Sequence, residues 1–327
     1  MTLRAEERAR RSRRRRLVAG LALTAAALGV PLLLRRLAAA PPLPPHGWGR
    51  GHRYVWRGDE VHFQQVGDGP PVLALHSLGP GHDSAEWERA AELLSHGCEL
   101  YAPDLPGWGR SAGAAGAPTA ELYTAFLRAF LADVVRQPAV VVAAGGAAAF
   151  AVAAAAGSAA DSVRALALVT PRGIASAEQA AVRGERLLTR LARLPLLAGA
   201  ALQLFTSRGA IQRHLEREVF AAPERADAAR REHCYRSARQ PGAQRALLAW
   251  LAGNLDLDVT TALPRLRCPV WLGWGRQAAT PPVETADLWL HLLPKAQLEV
   301  FDGSGLLPHL DVPVEFARRL RSFLLRV

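Results

Sequence analysis

The chain has 327 residues, half of them hydrophobic, enough for one sizeable core with appendages. Its formal net charge is +11, but ten Arg and two Glu within residues 1–36 supply +8 of that. The remaining +3 is too small and too scattered for a phosphate-tracking face, so no nucleic-acid partner is expected. Cys98, Cys234 and Cys268 lack the paired spacing of a zinc or redox motif, so no metal and no cofactor are expected.

Residues 1–16 form an Arg-rich N-terminus. Leu17 to Leu34 is an uncharged apolar run closed by Arg35 and Arg36; as a helix it would reach about 27 Å, close to the hydrocarbon thickness of a bilayer. Residues 17–36 are therefore expected to be a transmembrane or signal-anchor segment. The Arg excess ahead of it would place the folded domain outside the cytoplasm. A cleaved export signal (Ser12-Arg13-Arg14 before the run, Ala38-Ala39-Ala40 after it) and a peripheral basic helix are the alternatives. Residues 37–52, with Pro41, Pro42, Pro44, Pro45, Gly47 and Gly49, read as a semi-rigid linker.

From residue 53 the pattern changes. Short apolar or alternating runs at 53–56, 60–66, 72–76, 98–103, 139–144, 164–170, 269–275 and 297–301 predict strands. Helical patterns fall at 84–94, 119–136, 146–156, 283–293 and 312–325. Strands alternating with helices imply crossover units and a mainly parallel sheet, whereas the first two runs, joined at Arg57 and Gly58, predict an antiparallel hairpin. The interval 171–266 breaks this rhythm. Its apolar spacing (Leu187, Leu188, Leu191, Leu194, and later Leu196, Leu197, Leu202, Phe205) predicts a helical insertion between two halves of a core, 53–170 and 267–327.

Three stretches carry a resemblance: Pro70-Pro71 to His76-Ser77-Leu78-Gly79 with Trp87; Tyr101-Ala102-Pro103-Asp104 to Gly107-Trp108-Gly109-Arg110-Ser111; and Trp274-Gly275 with Gly303 to His309. In order and spacing they resemble the α/β-hydrolase superfamily. The resemblance implies that fold: a mainly parallel eight-stranded sheet with a helical cap at 171–266, preceded here by the expected N-terminal membrane helix. It also implies a nucleophile on a tight turn between a strand and a helix, an acid after the Trp-Gly strand, and a base after the last glycines. Those positions fall on Gly145, Ala278 and Leu306, none of which bears a group able to act.

The joint loss implies an apolar pocket, in which amides near Gly146 and near Ser77 or Leu78 would remain as an anion-binding corner beside His76. His309 is expected to serve as a hydrogen-bonding residue behind the site, and Asp104 with Ser111 to brace a loop. Ser77, His309 and Asp104 are the candidates for relocated chemistry. Two functions follow, and whether the chain is an enzyme stays open between them. One is a noncatalytic hydrolase homologue at a membrane bilayer, binding an apolar small molecule or serving an integral membrane complex; the other is an active hydrolase of an ester or related bond with nonstandard residues.

Overall fold

The computed structural model describes residues 42–113, 116–174, 199 and 202–327. Eight strands form one sheet: β1 (Arg50–Trp56), β2 (Asp59–Val66), β3 (Pro71–Leu75), β4 (Glu99–Pro103), β5 (Ala139–Ala144), β6 (Val163–Val169), β7 (Val270–Gly275) and β8 (Gln297–Phe301), in the order β1-β2-β4-β3-β5-β6-β7-β8. The β1–β2 and β2–β4 pairs are antiparallel, and every pairing from β4 to β8 is parallel. The α/β-hydrolase architecture expected from the sequence is thus the one observed. β1 starts three residues earlier than its apolar pattern suggested, and Trp48 before it is buried at 4% exposure, so the end of the expected linker packs on the core.

Strands β3, β5 and β6 are continuous runs of Val, Leu and Ala with almost every residue buried, the signature of a sheet covered on both faces. The covering helices are α1 (Glu88–Leu94), α2 (Ala120–Phe130), α3 (Ala147–Ala155), α7 (Ala286–Leu292), α8 (Pro308–Asp311) and α9 (Pro313–Leu324). α2 starts on Thr119, whose side chain accepts from the Leu122 amide, an N-cap of the kind that satisfies an orphan donor. α3 is almost wholly alanine, so it lies close against the sheet with little side-chain entropy lost. Large rings fill what remains, with Phe126 edge-on to Trp56 at 5.3 Å and Trp271 among Phe301, Phe316 and Phe323.

In the interval between β6 and β7 lie α4 (Arg208–His214), which continues as a wider turn over Leu215–Val219, then α5 (Ala228–Ser237) and α6 (Ala243–Leu251). Leu202 is buried, and Phe205 packs against Trp250 with ring centroids 5.7 Å apart. Leu187, Leu188, Leu191, Leu194, Leu196 and Leu197 lie outside the described residues.

The expected membrane anchor and the localisation built on it are corrected here. Among the described residues no helix is long and apolar enough to cross a membrane, and the segment that prompted the expectation, 17–36, lies outside them.

Phe126 is fully buried, so Phe126→Ala is expected to cost about 3–5 kcal/mol. Urea denaturation followed by tryptophan fluorescence measures the loss.

Candidate functional site

β5 ends at Ala144 and α3 begins at Ala147, which leaves Gly145 and Gly146 to turn the chain. Gly145 holds φ +55, a left-handed conformation that glycine adopts without steric cost. Its amide donates to the Val169 carbonyl and its carbonyl accepts from the Arg172 amide, which locks the turn to the end of β6. Thr170, one residue past that strand, also has a positive φ, of 41°. For a β-branched residue this is strain on the order of 1–3 kcal/mol, the kind that persists where surrounding structure over-determines it, as at functional sites.

A side chain at Gly145 would meet Ser77 first: its Cβ would stand 3.5 Å from the Ser77 Cβ. Gly146 packs on the Leu78 side chain, and its amide precedes the first turn of α3, where no intrahelical acceptor exists. Ser77, Leu78 and Gly146 therefore meet at one corner at the carboxyl ends of β3 and β5.

The expected apolar character is corrected by what lies beside this corner. Ser77 is part of a buried polar cluster with His82, Glu86 and His309, each at most 4% exposed. Glu86 Oε1 accepts from the Ser77 amide at 2.7 Å and lies 3.3 Å from His309 Nε2. Its Oε2 accepts from the Ser77 hydroxyl at 2.9 Å and lies 3.0 Å from His82 Nδ1, while Ser77 Oγ and His82 Nδ1 are 2.7 Å apart. Burial alone would push the Glu86 carboxyl up, but hydrogen bonds and charge from His309 and His82 outweigh it and hold the group well below the usual carboxylate range. Burial pushes His82 down, against the opposing pull of Glu86.

His76, next to Ser77, has other partners. Its Nδ1 lies 2.7 Å from the Ser77 carbonyl and its Nε2 accepts from the Leu105 amide at 3.0 Å. A carbonyl only accepts and an amide only donates, so the ring is fixed with its proton on Nδ1 and has no nitrogen left to act as a base.

His309 stacks on Trp87 with ring centroids 3.9 Å apart and reaches the corner through Glu86. Asp104 accepts from the Ser84 and Arg110 amides at 2.8 Å each, and Ser111 donates to the Asp104 carbonyl. Asp104 thus lies apart from Ser77, in the bracing position. Ala278 is buried at 5% exposure after β7, and Leu306 is partly buried in the last loop. Neighbouring Gln277 joins that loop by exchanging hydrogen bonds with the Ser304 backbone, and Arg276 pairs with Asp302.

The sequence reading missed His82, Glu86, His214, Asp83 and His233. His82 and Glu86 are four residues apart, a spacing that puts two side chains on one face of a helical turn, and that was the available signal. His214, at the end of α4, places its Nε2 3.0 Å from His82 Nε2, while its Nδ1 lies 3.0 Å from Glu218 Oε2. Asp83 caps the short turn Ser84–Trp87 and sets both oxygens within 3.0 Å of His233 Nε2 on α5. Burial opposes the Asp83 charge, but the charge and hydrogen bond of His233 prevail and hold its carboxyl far below the usual range. His46, which accepts from Arg110 at 2.6 Å, is pushed down to about 4 by burial. Among the described residues no group of three or more His, Cys, Asp or Glu side chains is arranged to hold a metal ion.

Alongside the cluster lies a cavity of about 380 Å³, lined by Leu204, Phe205, Trp250, Arg213, Arg217 and His214 among others.

Residues 72–319 match the alpha/beta hydrolase family. The chain is 27% identical over 276 residues to a pimeloyl-[acyl-carrier protein] methyl ester esterase of Vibrio vulnificus (strain YJ016), covering 81% of this chain and 98% of that protein. It is likewise 27% identical over 275 residues to an uncharacterised protein of Mycobacterium tuberculosis, with 80% and 77% covered. A serine hydrolase involved in carbazole degradation superposes with TM-score 0.71 at 19% identity, over 85% of this chain and 99% of that one. A membrane phospholipase A superposes with TM-score 0.70 at 21% identity, over 95% and 98%. At these identities the structural matches speak for the fold alone.

Two substitutions test the electrostatics. Glu86→Gln leaves the His donors facing an amide in a dry site and is expected to destabilise by about 3–5 kcal/mol. The Asp83 carboxyl, depressed in the fold, contributes stability that is present above the ordinary carboxylate value of about 4 and is lost as pH falls. Asp83→Asn should therefore flatten the acid limb of stability against pH, as read by thermal melts in buffers of decreasing pH.

Proposed function

Because the chain belongs to the α/β-hydrolase family, we propose that it hydrolyses an ester or a related acyl bond, with Ser77 as the nucleophile in place of a residue on the elbow turn. The observation that carries this reading is the position of Ser77. Its Cβ lies 3.5 Å from where a Gly145 side chain would begin, and its Oγ is 2.7 Å from an imidazole nitrogen. Nucleophile and base within hydrogen-bond reach, with the base held by a further group, is the arrangement that covalent acyl transfer needs.

Ser77 Oγ bonds to the acyl carbon as its proton passes to His82 Nδ1, and the carbonyl oxygen gathers negative charge at the Gly146 amide. The leaving alkoxide takes that proton, and the acyl group stays on Ser77. Water then attacks the acyl carbon, giving up its proton by the same route, and the acid leaves as the Ser77 hydroxyl is restored. The strained Thr170 and the lock between Gly145 and β6 support a corner built for more than packing. The relatives named as methyl ester esterases favour an ester.

A second reading rests on a different observation. Gly145, Ala278 and Leu306 stand where the family pattern puts nucleophile, acid and base, and Ser77 is only 1% exposed. This favours a noncatalytic hydrolase-fold protein that binds an apolar ligand or serves as a subunit.

A fluorophosphonate probe and a short p-nitrophenyl ester separate the two. The first reading expects labelling and turnover by the full chain, lost by a factor of about 10² or more in Ser77→Ala. Absence of both from the folded wild-type protein would overturn it in favour of the second.

A further inference from the structure

The two imidazoles of His82 and His214 meet end to end. Their Nε2 atoms are 3.0 Å apart and their ring centroids 5.3 Å apart, which is the contact plus the two ring radii, so the two nitrogen lone-pair axes are nearly collinear. Two ligands converging on one metal ion would bring the rings closer together than this. A head-on contact of this kind is held by one proton between the nitrogens.

At the far end, His214 Nδ1 faces the carboxylate of Glu218, a half-exposed residue, at 3.0 Å, and must carry a proton to do so. At the near end, His82 Nδ1 faces both Ser77 Oγ and Glu86 Oε2. The four ring nitrogens can carry protons in two ways that keep both the contact between the rings and the one to Glu218. With three protons the pair carries one positive charge, His82 Nδ1 donates, and Ser77 has no base. With two protons, His82 donates from Nε2 to His214, His214 donates from Nδ1 to Glu218, and His82 Nδ1, with no proton left for Glu86, competes with Glu86 Oε2 for the one Ser77 hydroxyl proton.

We propose that His214 and Glu218, carried by α4 and the turn after it, are positioning residues that set the tautomer of His82, so that loss of one proton from the histidine pair arms Ser77. The inference rests on the hydrolase reading for its consequence, but the proton switch itself exists whether or not an ester is cleaved. Arming completes a line of donors and acceptors, Ser77–His82–His214–Glu218, whose outer half belongs to the inserted helices.

The charged groups around the pair set the direction. Burial disfavours charge on His82, as do the neighbouring His214 and His76, while Glu86 favours it. Glu218 feels His214, His82 and Arg172. Arg213 and Arg217 line the adjoining cavity with His214, and His309 holds the far oxygen of Glu86. The sum disfavours the charged, three-proton state. The armed state therefore takes over as pH rises, at a midpoint that belongs to the pair.

Nitrogen-15 histidine spectra of the full chain, recorded from acid to neutral pH beside fluorophosphonate labelling rates, test this. The expected result is that His82 Nδ1 passes from protonated to unprotonated as pH rises, with labelling rising at the same midpoint. His214→Phe and Glu218→Gln should abolish the Nδ1 transition and slow labelling at neutral pH by about tenfold or more. A His82 Nδ1 that keeps one protonation state throughout, or a transition untouched by both variants, would overturn the proposal. A transition that behaves as expected without any labelling would support the switch and sink the hydrolase reading instead.

Discussion

A carboxylate in a dry interior is tolerated only when its oxygens are well supplied with donors, and Glu86 imposes that demand on the whole corner around Ser77. Its partners come from the end of β3 (the Ser77 amide and hydroxyl), the loop after it (His82) and α8 (His309). These contacts tie the three segments to a common geometry. The β3 loop is further fixed by Asp104, which accepts from the Ser84 amide, and by His76, which accepts from the Leu105 amide. Ser77 is consequently held from both sides, by its amide and by its hydroxyl.

The inserted helices are joined to the core by the same kind of contact. Asp83 binds His233 of α5, and Asp311 takes the Ala221 and Gly305 amides as well as Arg225. Glycine permits the closest approaches: a Cβ on Gly305 would meet the Val219 carbonyl at 2.5 Å, and one on Gly81 would meet the Cys234 carbonyl at 2.2 Å. The insertion therefore reaches the site through backbone packing and buried ion pairs. This is the rigid footing that a positioning role for His214 requires.

Much of the fold was legible because local chemistry is redundant there. Val140-Val141-Val142 reads as a buried strand with no knowledge of its neighbours, and Gly145 after it reads as a turn that then adopts φ +55. Asp104 and Ser111 declared a bracing loop because both lie in one short motif. The polar cluster was not legible, since its members are ordinary residues until the chain folds. His214 lies 132 residues from His82, and His309 lies 223 from Glu86. No period or spacing rule spans such separations, and an Ala-rich turn with no reacting group directed attention to an apolar pocket. The length and hydropathy of residues 17–36 suggested a membrane span on local grounds alone, and no described helix supplies one.

The residues at 77 and 145 are best understood as a pair. Folds of this kind place glycine-rich backbone in the loop after β3 and a serine on the elbow; here the loop has Ser77 and the elbow has Gly145. The two Cβ positions would be 3.5 Å apart, in ordinary contact, so either chain segment brings a side chain to the same corner. A serine on the elbow would look toward a base in the last loop, where Leu306 stands. A serine at 77 looks instead toward the loop that follows it, and there His82 and Glu86 are within 3.0 Å. Apolar Leu306 and Ala278 then cease to be isolated losses. Apolar side chains at these two positions leave no buried acid or base there without a partner.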